Sequence, residues 1–172
     1  FTSEGYVYRV DLRLRPEGKV GAIACSLDGF ERYYQSRGET WERLALLKAW
    51  PVAGDRFLGQ RFIEMARPFI YDRPFDLVAL EEVRGIKRKI DQRMKVRQQR
   101  SRNVKLGAGG IREIELVVQA LQVCHGARAS QIRERNTLKA LGALRDISLI
   151  SAEECETLTR AYVFLRDVEN KL

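Results

Sequence analysis

Val104-Lys105-Leu106-Gly107-Ala108-Gly109-Gly110-Ile111-Arg112-Glu113-Ile114-Glu115 joins a basic residue, three glycines and the acidic first turn of an apolar helix. Glycine loses more backbone freedom on folding than any other residue, so three in so short a run mark a local need. That need is a positive φ or the close approach of another group to the backbone. The plain reading is a tight loop that starts a helix from Gly110 to His125, preceded by a short strand at Lys105 and Leu106. Ile111, Ile114, Val117, Val118, Leu121 and Cys124 form the helix's apolar side, and Gly126 ends it. Amides at a helix start also suit an anion. No Gly-Lys-Ser/Thr follows, so this is not a Walker loop, and the spacing of Gly107, Gly109 and Gly110 is not that of a dinucleotide fingerprint.

Outward from this loop, helices dominate. Downstream, Thr137 to Ile147 reads as a short helix, and Ser151-Ala152-Glu153-Glu154 is a capping box. It opens a helix carrying Cys155, Leu158, Tyr162, Leu165, Val168 and Leu172 on one face. Upstream, Ser26 caps a helix through Phe30, Tyr33 and Tyr34 that Gly38 stops, and Glu39 to Trp50 forms another, ended by Pro51. Asp55 to Ile70 is a third, and Asp76 caps a long fourth in which Leu80, Val83, Ile86, Ile90 and Met94 recur at helical spacing. Lys95 to Asn103 is almost wholly polar and reads as a surface loop. The exception comes first. Tyr6 to Arg15 alternates, with Tyr6, Tyr8, Val10, Leu12 and Leu14 on one face and Val7, Arg9, Asp11, Arg13 and Arg15 on the other, which predicts a half-buried strand. Val20 to Cys25 returns beside it as a hairpin across the Pro16–Lys19 turn. The fold class expected is α+β and mostly helical.

Composition excludes several classes. The chain has 172 residues, 45% of them hydrophobic, enough to bury a core. No apolar stretch reaches membrane-span length and no signal peptide is visible. A formal net charge of +8 suits an anionic partner. Cys25, Cys124 and Cys155 are scattered and odd in number, so reduced thiols in a cytoplasm are the simplest expectation. His125, the only histidine, argues against a histidine-rich metal site or a Ser-His-Asp triad; at a helix end it suits the helix dipole. The basic helix face of Arg84, Lys87, Arg88 and Arg93 has no interleaved aromatic residues for base stacking, so nucleic acid is not the expected partner. Trp41, Glu42 and Arg43 read as a core anchor with a flanking ion pair. Phe1 is not an initiator methionine and Leu172 falls inside a helical pattern, which suggests a fragment of a longer protein.

The chemistry concentrates on two places. Asp11 stands between Arg9 and Arg13 on a strand face, and a strand fixes a carboxylate's direction well enough to hold a divalent metal. Arg13 and Arg15 suit phosphate oxygens. A surface ladder of Arg and Asp explains the same residues without chemistry, and one carboxylate makes no two-metal site.

Val10-Asp11-Leu12-Arg13-Leu14-Arg15-Pro16 resembles the Val-Asp-x-Arg-Leu-Arg-Pro strand of the glutamate–ammonia-ligase adenylyltransferase family. Phe30 to Tyr34, Thr40 to Ala49, Arg67 to Tyr71, Lys105 to Glu115 and Ala161 to Arg166 resemble it in the same order, across nearly the whole chain. The family has two homologous halves. Glu113 and Trp41-Glu42-Arg43 are similar to the adenylyl-removing half; the adenylyl-adding half usually has Asp and Trp-Glu-His there.

The resemblance implies that residues 1–25 end a nucleotidyltransferase palm of short strands and that residues 26–172 form a helical bundle bearing the glycine-rich loop at 104–110. Asp11 matches that fold's third metal-binding carboxylate, whose Gly-Ser loop and Asp-x-Asp pair are absent here and are expected before Phe1. The implied reaction is phosphorolysis of adenylyl-tyrosine on glutamine synthetase, giving ADP. The implied metal is Mg²⁺ or Mn²⁺, with ATP, ADP and phosphate as substrates or products. Asp11 is the implied catalytic and metal residue. Arg13 and Arg15 are the implied phosphate ligands, with Lys105, Gly107, Gly109 and Gly110 as weaker nucleotide-binding candidates. Glutamine synthetase, the PII signal protein and glutamine are the implied partners. The adenylyl-adding half, and a non-catalytic regulatory module binding PII or glutamine, are the alternatives.

Overall fold

In the computed structural model, residues 10–96 and 103–171 are described. Most helices begin where a side chain takes up the free amides of the first turn. The Ser26 hydroxyl accepts from Gly29 N at the start of α1 (Leu27–Ser36). Glu39 and Glu42 form a reciprocal capping box on α2 (Thr40–Leu46). Asp55 accepts from Phe57 N and Leu58 N to open α3 (Arg56–Tyr71), and Asp76 accepts from Ala79 N to open α4 (Leu77–Val96). α5 spans Ile111–His125. After a short 3₁₀ turn at Ser130–Ile132, Asn136 caps α6 (Thr137–Asp146). Ser151 N donates to Glu154 Oε2 at 2.7 Å and Glu154 N to Ser151 Oγ at 3.1 Å, the expected box opening α7 (Ala152–Lys171).

The apolar stripes meet in two cores. Tyr34, Leu44, Leu47, Phe69, Ile70 and Val83 bury one from α1 to α4. Val118, Ile132, Ala140, Leu141, Leu144 and Cys155 bury the other between α5, α6 and α7. α5 joins them, giving Val123 to the first core and Val118 to the second. Each large apolar side chain fully buried in this way contributes about 1.5–3 kcal/mol.

Two arginines tie the helix ends together. Buried Arg43 donates from Nε to Ile70 O at 3.0 Å and from its terminal nitrogens to Arg73 O at 2.9 Å and Pro74 O at 3.3 Å. Arg73 donates to Tyr34 O, to Gln35 O at 2.7 Å and to Gly38 O at 3.1 Å, over the ring of Phe69. Carbonyls left over at the ends of α1 and α3 thus gain cationic donors.

Several expectations are corrected. Among the described residues there is no strand: 10–15 and 20–25 run through turns and bends, while Tyr6 to Arg9 lie outside the described residues. The reason is visible in the partners. A strand needs an edge to pair with, and these backbone groups bond locally instead, through Asp11 and Arg15. Val10, Leu12, Leu14, Val20 and Ile23 are all exposed, Val20 at 88%. Lys105 and Leu106 are likewise a turn, with both amides donating to Asn103 Oδ1. Glu42 and Arg43 do not pair with each other; Glu42 accepts from Tyr33 Oη and Glu39 N. The helix through Trp41 ends at Leu46, four residues short of Trp50. Cys124, expected on the apolar side of its helix, is exposed. Of the polar run from Lys95 to Asn103, Lys95 and Val96 end α4, 97–102 lie outside the described residues, and Asn103 opens the glycine loop.

Candidate functional site

The Asp11–Arg15 segment folds into a turn held by its own charges. Asp11 Oδ1 accepts from Arg13 N at 3.0 Å, and its two oxygens take the Arg13 guanidinium in a fork, with Nε at 2.8 and 3.0 Å. Hydrogen bonding to Asp11, then its charge, holds the Arg13 guanidinium protonated beyond its ordinary range. Arg15 closes the turn: Nε donates to Gly21 O at 3.0 Å, and the terminal nitrogens to Leu12 O and to Lys19 O at 3.1 Å. Arg13 and Asp11 therefore stand at the surface, while Arg15 is engaged with backbone.

This turn continues into one wall of an open cavity of about 480 Å³, whose other wall is α1 with Arg32, Tyr33 and Arg37. Arg37 pairs with Glu17 at 2.7 Å across it. Tyr33 Oη donates toward both Glu42 carboxylate oxygens at 3.1 Å. Burial pushes the Glu42 carboxyl above its ordinary value, and bonds from Glu39 N and Tyr33 oppose that shift. Burial also pushes the neighbouring Tyr34 phenol up.

The glycine loop lies on another part of the chain and is built differently. Gly107 N donates to Asn103 O, Gly110 N to Gly107 O, Ile111 N to Val104 O and Arg112 N to Lys105 O, all between 2.8 and 3.0 Å. Gly109 N donates to Glu113 Oε2 at 3.0 Å. The amides of Gly107 and of Gly109 to Arg112 are thus already paired. Two glycines have specific causes. Gly109 sits at φ +69°, and a Cβ on Gly110 would meet Val104 O at 2.7 Å and Gly107 O at 2.8 Å. Lys105 Nζ pairs with Glu169 of α7 at 3.0 Å, and Glu113 with Lys87 of α4 at 3.3 Å. The loop binds three helices to one another.

Sequence reasoning placed Asp11 and Arg13 on one strand face, whereas they meet in a turn. It did not find the roles of Arg43 and Arg73, because nothing in their spacing shows which carbonyls they reach. The basic face of α4 is partly neutralised, with Arg84 and Arg88 both on Glu81. As a metal site the described residues fall short: they contain no cluster of three His, Cys, Asp or Glu side chains able to hold an ion. Asp11 brings one carboxylate, already forked by Arg13, so no step through a metal follows from these residues alone. No helix among the described residues is long and apolar enough to cross a membrane.

Comparison with known proteins agrees along the whole chain. A family model described as glutamate-ammonia ligase adenylyltransferase matches residues 1–65. A second, described as GlnD PII-uridylyltransferase, matches residues 84–172. Three relatives carry the name bifunctional glutamine synthetase adenylyltransferase/adenylyl-removing enzyme. That of Xanthomonas campestris pv. campestris (strain B100) is 47% identical over 99% of this chain. Those of Nitrosococcus oceani and Pseudomonas putida are 45% and 43% identical over the same share. The chain spans only 17–18% of the length of these relatives. It belongs to the glutamate–ammonia ligase adenylyltransferase family, and its residues 84–172 also match the PII-uridylyltransferase model.

Proposed function

We propose that this chain is a segment of the adenylyl-removing half of an enzyme that controls glutamine synthetase by reversible adenylylation. The single observation that carries the proposal is the surface-facing Asp11–Arg13 fork, on the segment that matches the adenylyltransferase model. The reaction is phosphorolysis. An oxygen of inorganic phosphate bonds to the AMP phosphorus of adenylyl-tyrosine, the bond from phosphorus to the tyrosyl oxygen breaks, and the phenolate takes up a proton. The products are ADP and tyrosine.

In this reading residues 1–25 belong to the nucleotidyltransferase part of the parent protein, where residues 10–25 supply turns rather than a strand. Asp11 would supply one carboxylate to a Mg²⁺ or Mn²⁺ ion only together with an Asp-x-Asp pair elsewhere in the parent protein, since the described residues hold no metal cluster of their own. Arg13 orients Asp11 and meets phosphate oxygens, and Arg15 fixes the turn that presents both. Lys105 and the Gly107–Gly110 backbone hold the scaffold. Glutamine synthetase is the target, and the PII signal protein and glutamine are the regulators, in the cytoplasm.

The choice of half is supported by the two positions at which the halves differ. Arg43 reaches three carbonyls, which an imidazole would not span, and Glu113 reaches both Gly109 N and Lys87, which the shorter Asp would not. Both residues are built into the packing of this chain. The test is an assay of the parent protein with adenylylated glutamine synthetase. Phosphate-dependent ADP release is the expected result. ATP-dependent AMP transfer in its place would assign the segment to the adenylyl-adding half, and neither activity would make it a regulatory module.

A further inference from the structure

A second charged region shares no residue with the Asp11–Arg15 turn or the glycine loop. Lys48, Trp50, Arg133, Glu134, Arg135 and Lys139 line an open cavity of about 610 Å³ at the start of α6. Four cations face one carboxylate, and Glu134 already accepts from Asn136 N at 3.0 Å. None of the four cations forms an ion pair among the described residues, although most other charged clusters of the molecule do.

The cations are also held in place. Gln122, fully buried, donates to Ile132 O and Glu134 O at 2.7 Å and pins the segment that carries Arg133 and Arg135. Arg133 donates to Gly126 O at 2.8 Å and to Ala127 O at 3.4 Å and lies over Tyr71, so its guanidinium is partly committed to backbone and is held in place. The Arg135 guanidinium is stacked on Trp50, 4.2 Å from the ring centroid, and donates no side-chain hydrogen bond among the described residues. Lys48 Nζ donates to Arg135 O and to Thr137 Oγ1 at 3.0 Å, leaving a third N–H. Burial is the first cause that holds the Lys48 ammonium below its ordinary value; Glu115 and Glu134 oppose it and Arg135 adds to it. The Asn136 side chain takes the amides of Leu138 and Lys139. The side chains, not the helix end, are therefore the available donors.

We infer that this cavity binds a phosphate dianion, through Arg135, Lys139 and Lys48. A stacked guanidinium with free N–H groups offers a fork that matches phosphate, and three converging cations favour two negative charges over one. The group is either free phosphate or a phosphate ester of a small molecule. This inference is independent of the adenylyl-group reading, because no residue is shared.

The test uses the parent protein and calorimetric titration at fixed ionic strength with inorganic phosphate, phenyl phosphate and acetate. Saturable binding of either phosphate, stronger than acetate, is expected. Arg135→Gln and Lys139→Gln, both at exposed positions, should each weaken it about tenfold. Asp11→Asn should leave this binding unchanged, which separates it from any phosphate bound at the Asp11 turn. Equal affinity for the two phosphates identifies free phosphate as sufficient; tighter phenyl phosphate identifies an ester. Acetate binding as tightly as phosphate, or phosphate binding untouched by both Gln variants, would overturn the inference.

Discussion

The Asp11–Arg15 turn and the glycine loop at 103–110 both read from sequence as places where chemistry could sit, yet they fold in opposite ways. In the first, the Asp11–Arg13 pair faces outward and the apolar residues around it are exposed, Val10 at 77% and Leu14 at 71%. In the second, the amides described at the start of α5 are paired, and side chains run from the loop to α4 and α7. A glycine run before a helix is therefore not by itself an anion site. Here it is the means by which Val104 and Lys105 carbonyls approach and cap α5.

The strongest way to break this contrast is Gly110→Ala. The new methyl would sit against two backbone carbonyls at 2.7 and 2.8 Å, so we expect a loss of about 3 kcal/mol in denaturant unfolding. A neutral result would mean the loop is loose enough to open its amides to a ligand. Next in size is Arg43→Met, which leaves the carbonyls of Ile70, Arg73 and Pro74 without their cationic donor. We expect a loss of about 2 kcal/mol, seen as a lowered unfolding midpoint.

Glu42 sharpens the contrast through pH. Its folded carboxyl titrates above its ordinary value because burial disfavours the charge. Protonation therefore favours the folded state. The contribution is fully present below the ordinary carboxylate range and is lost as pH rises through the raised folded value. Glu42→Gln should flatten the dependence of the unfolding midpoint on pH across that window; an unchanged slope would show that other groups set it. The smallest effect belongs to Lys105→Ala, which removes a half-exposed pair with Glu169 and should cost less than about 1 kcal/mol.

How much was legible follows from where the information lies. Caps are local in sequence, so Ser26, Asp55, Asp76 and the Ser151–Glu154 box could be read directly, and the helices they open are where they were expected. Strand pairing is not local. The alternation over Tyr6 to Arg15 shows which residues want a sheet but not whether an edge is there to receive them, and residues 10–15 turn instead. Arg43 and Arg73 act across 27 to 39 positions of chain, and no spacing rule carries that distance. For the candidate site, the neighbourhood of Asp11 and Arg13 was legible because the two residues are only two positions apart, although they meet in a turn and not on a strand face. The engagement of Arg15 with Gly21 O and Lys19 O depended on the turn itself and was not.

The central claim is that Asp11 serves chemistry while the glycine loop serves the fold. The most direct measurement pairs Asp11→Asn with Gly110→Ala in the parent protein and records phosphate-dependent ADP release together with the unfolding midpoint. The account predicts that Asp11→Asn abolishes release at an unchanged midpoint, while Gly110→Ala lowers the midpoint and costs activity only in proportion to the protein unfolded. Retained release in Asp11→Asn, or lost release in a fully folded Gly110→Ala, would contradict it.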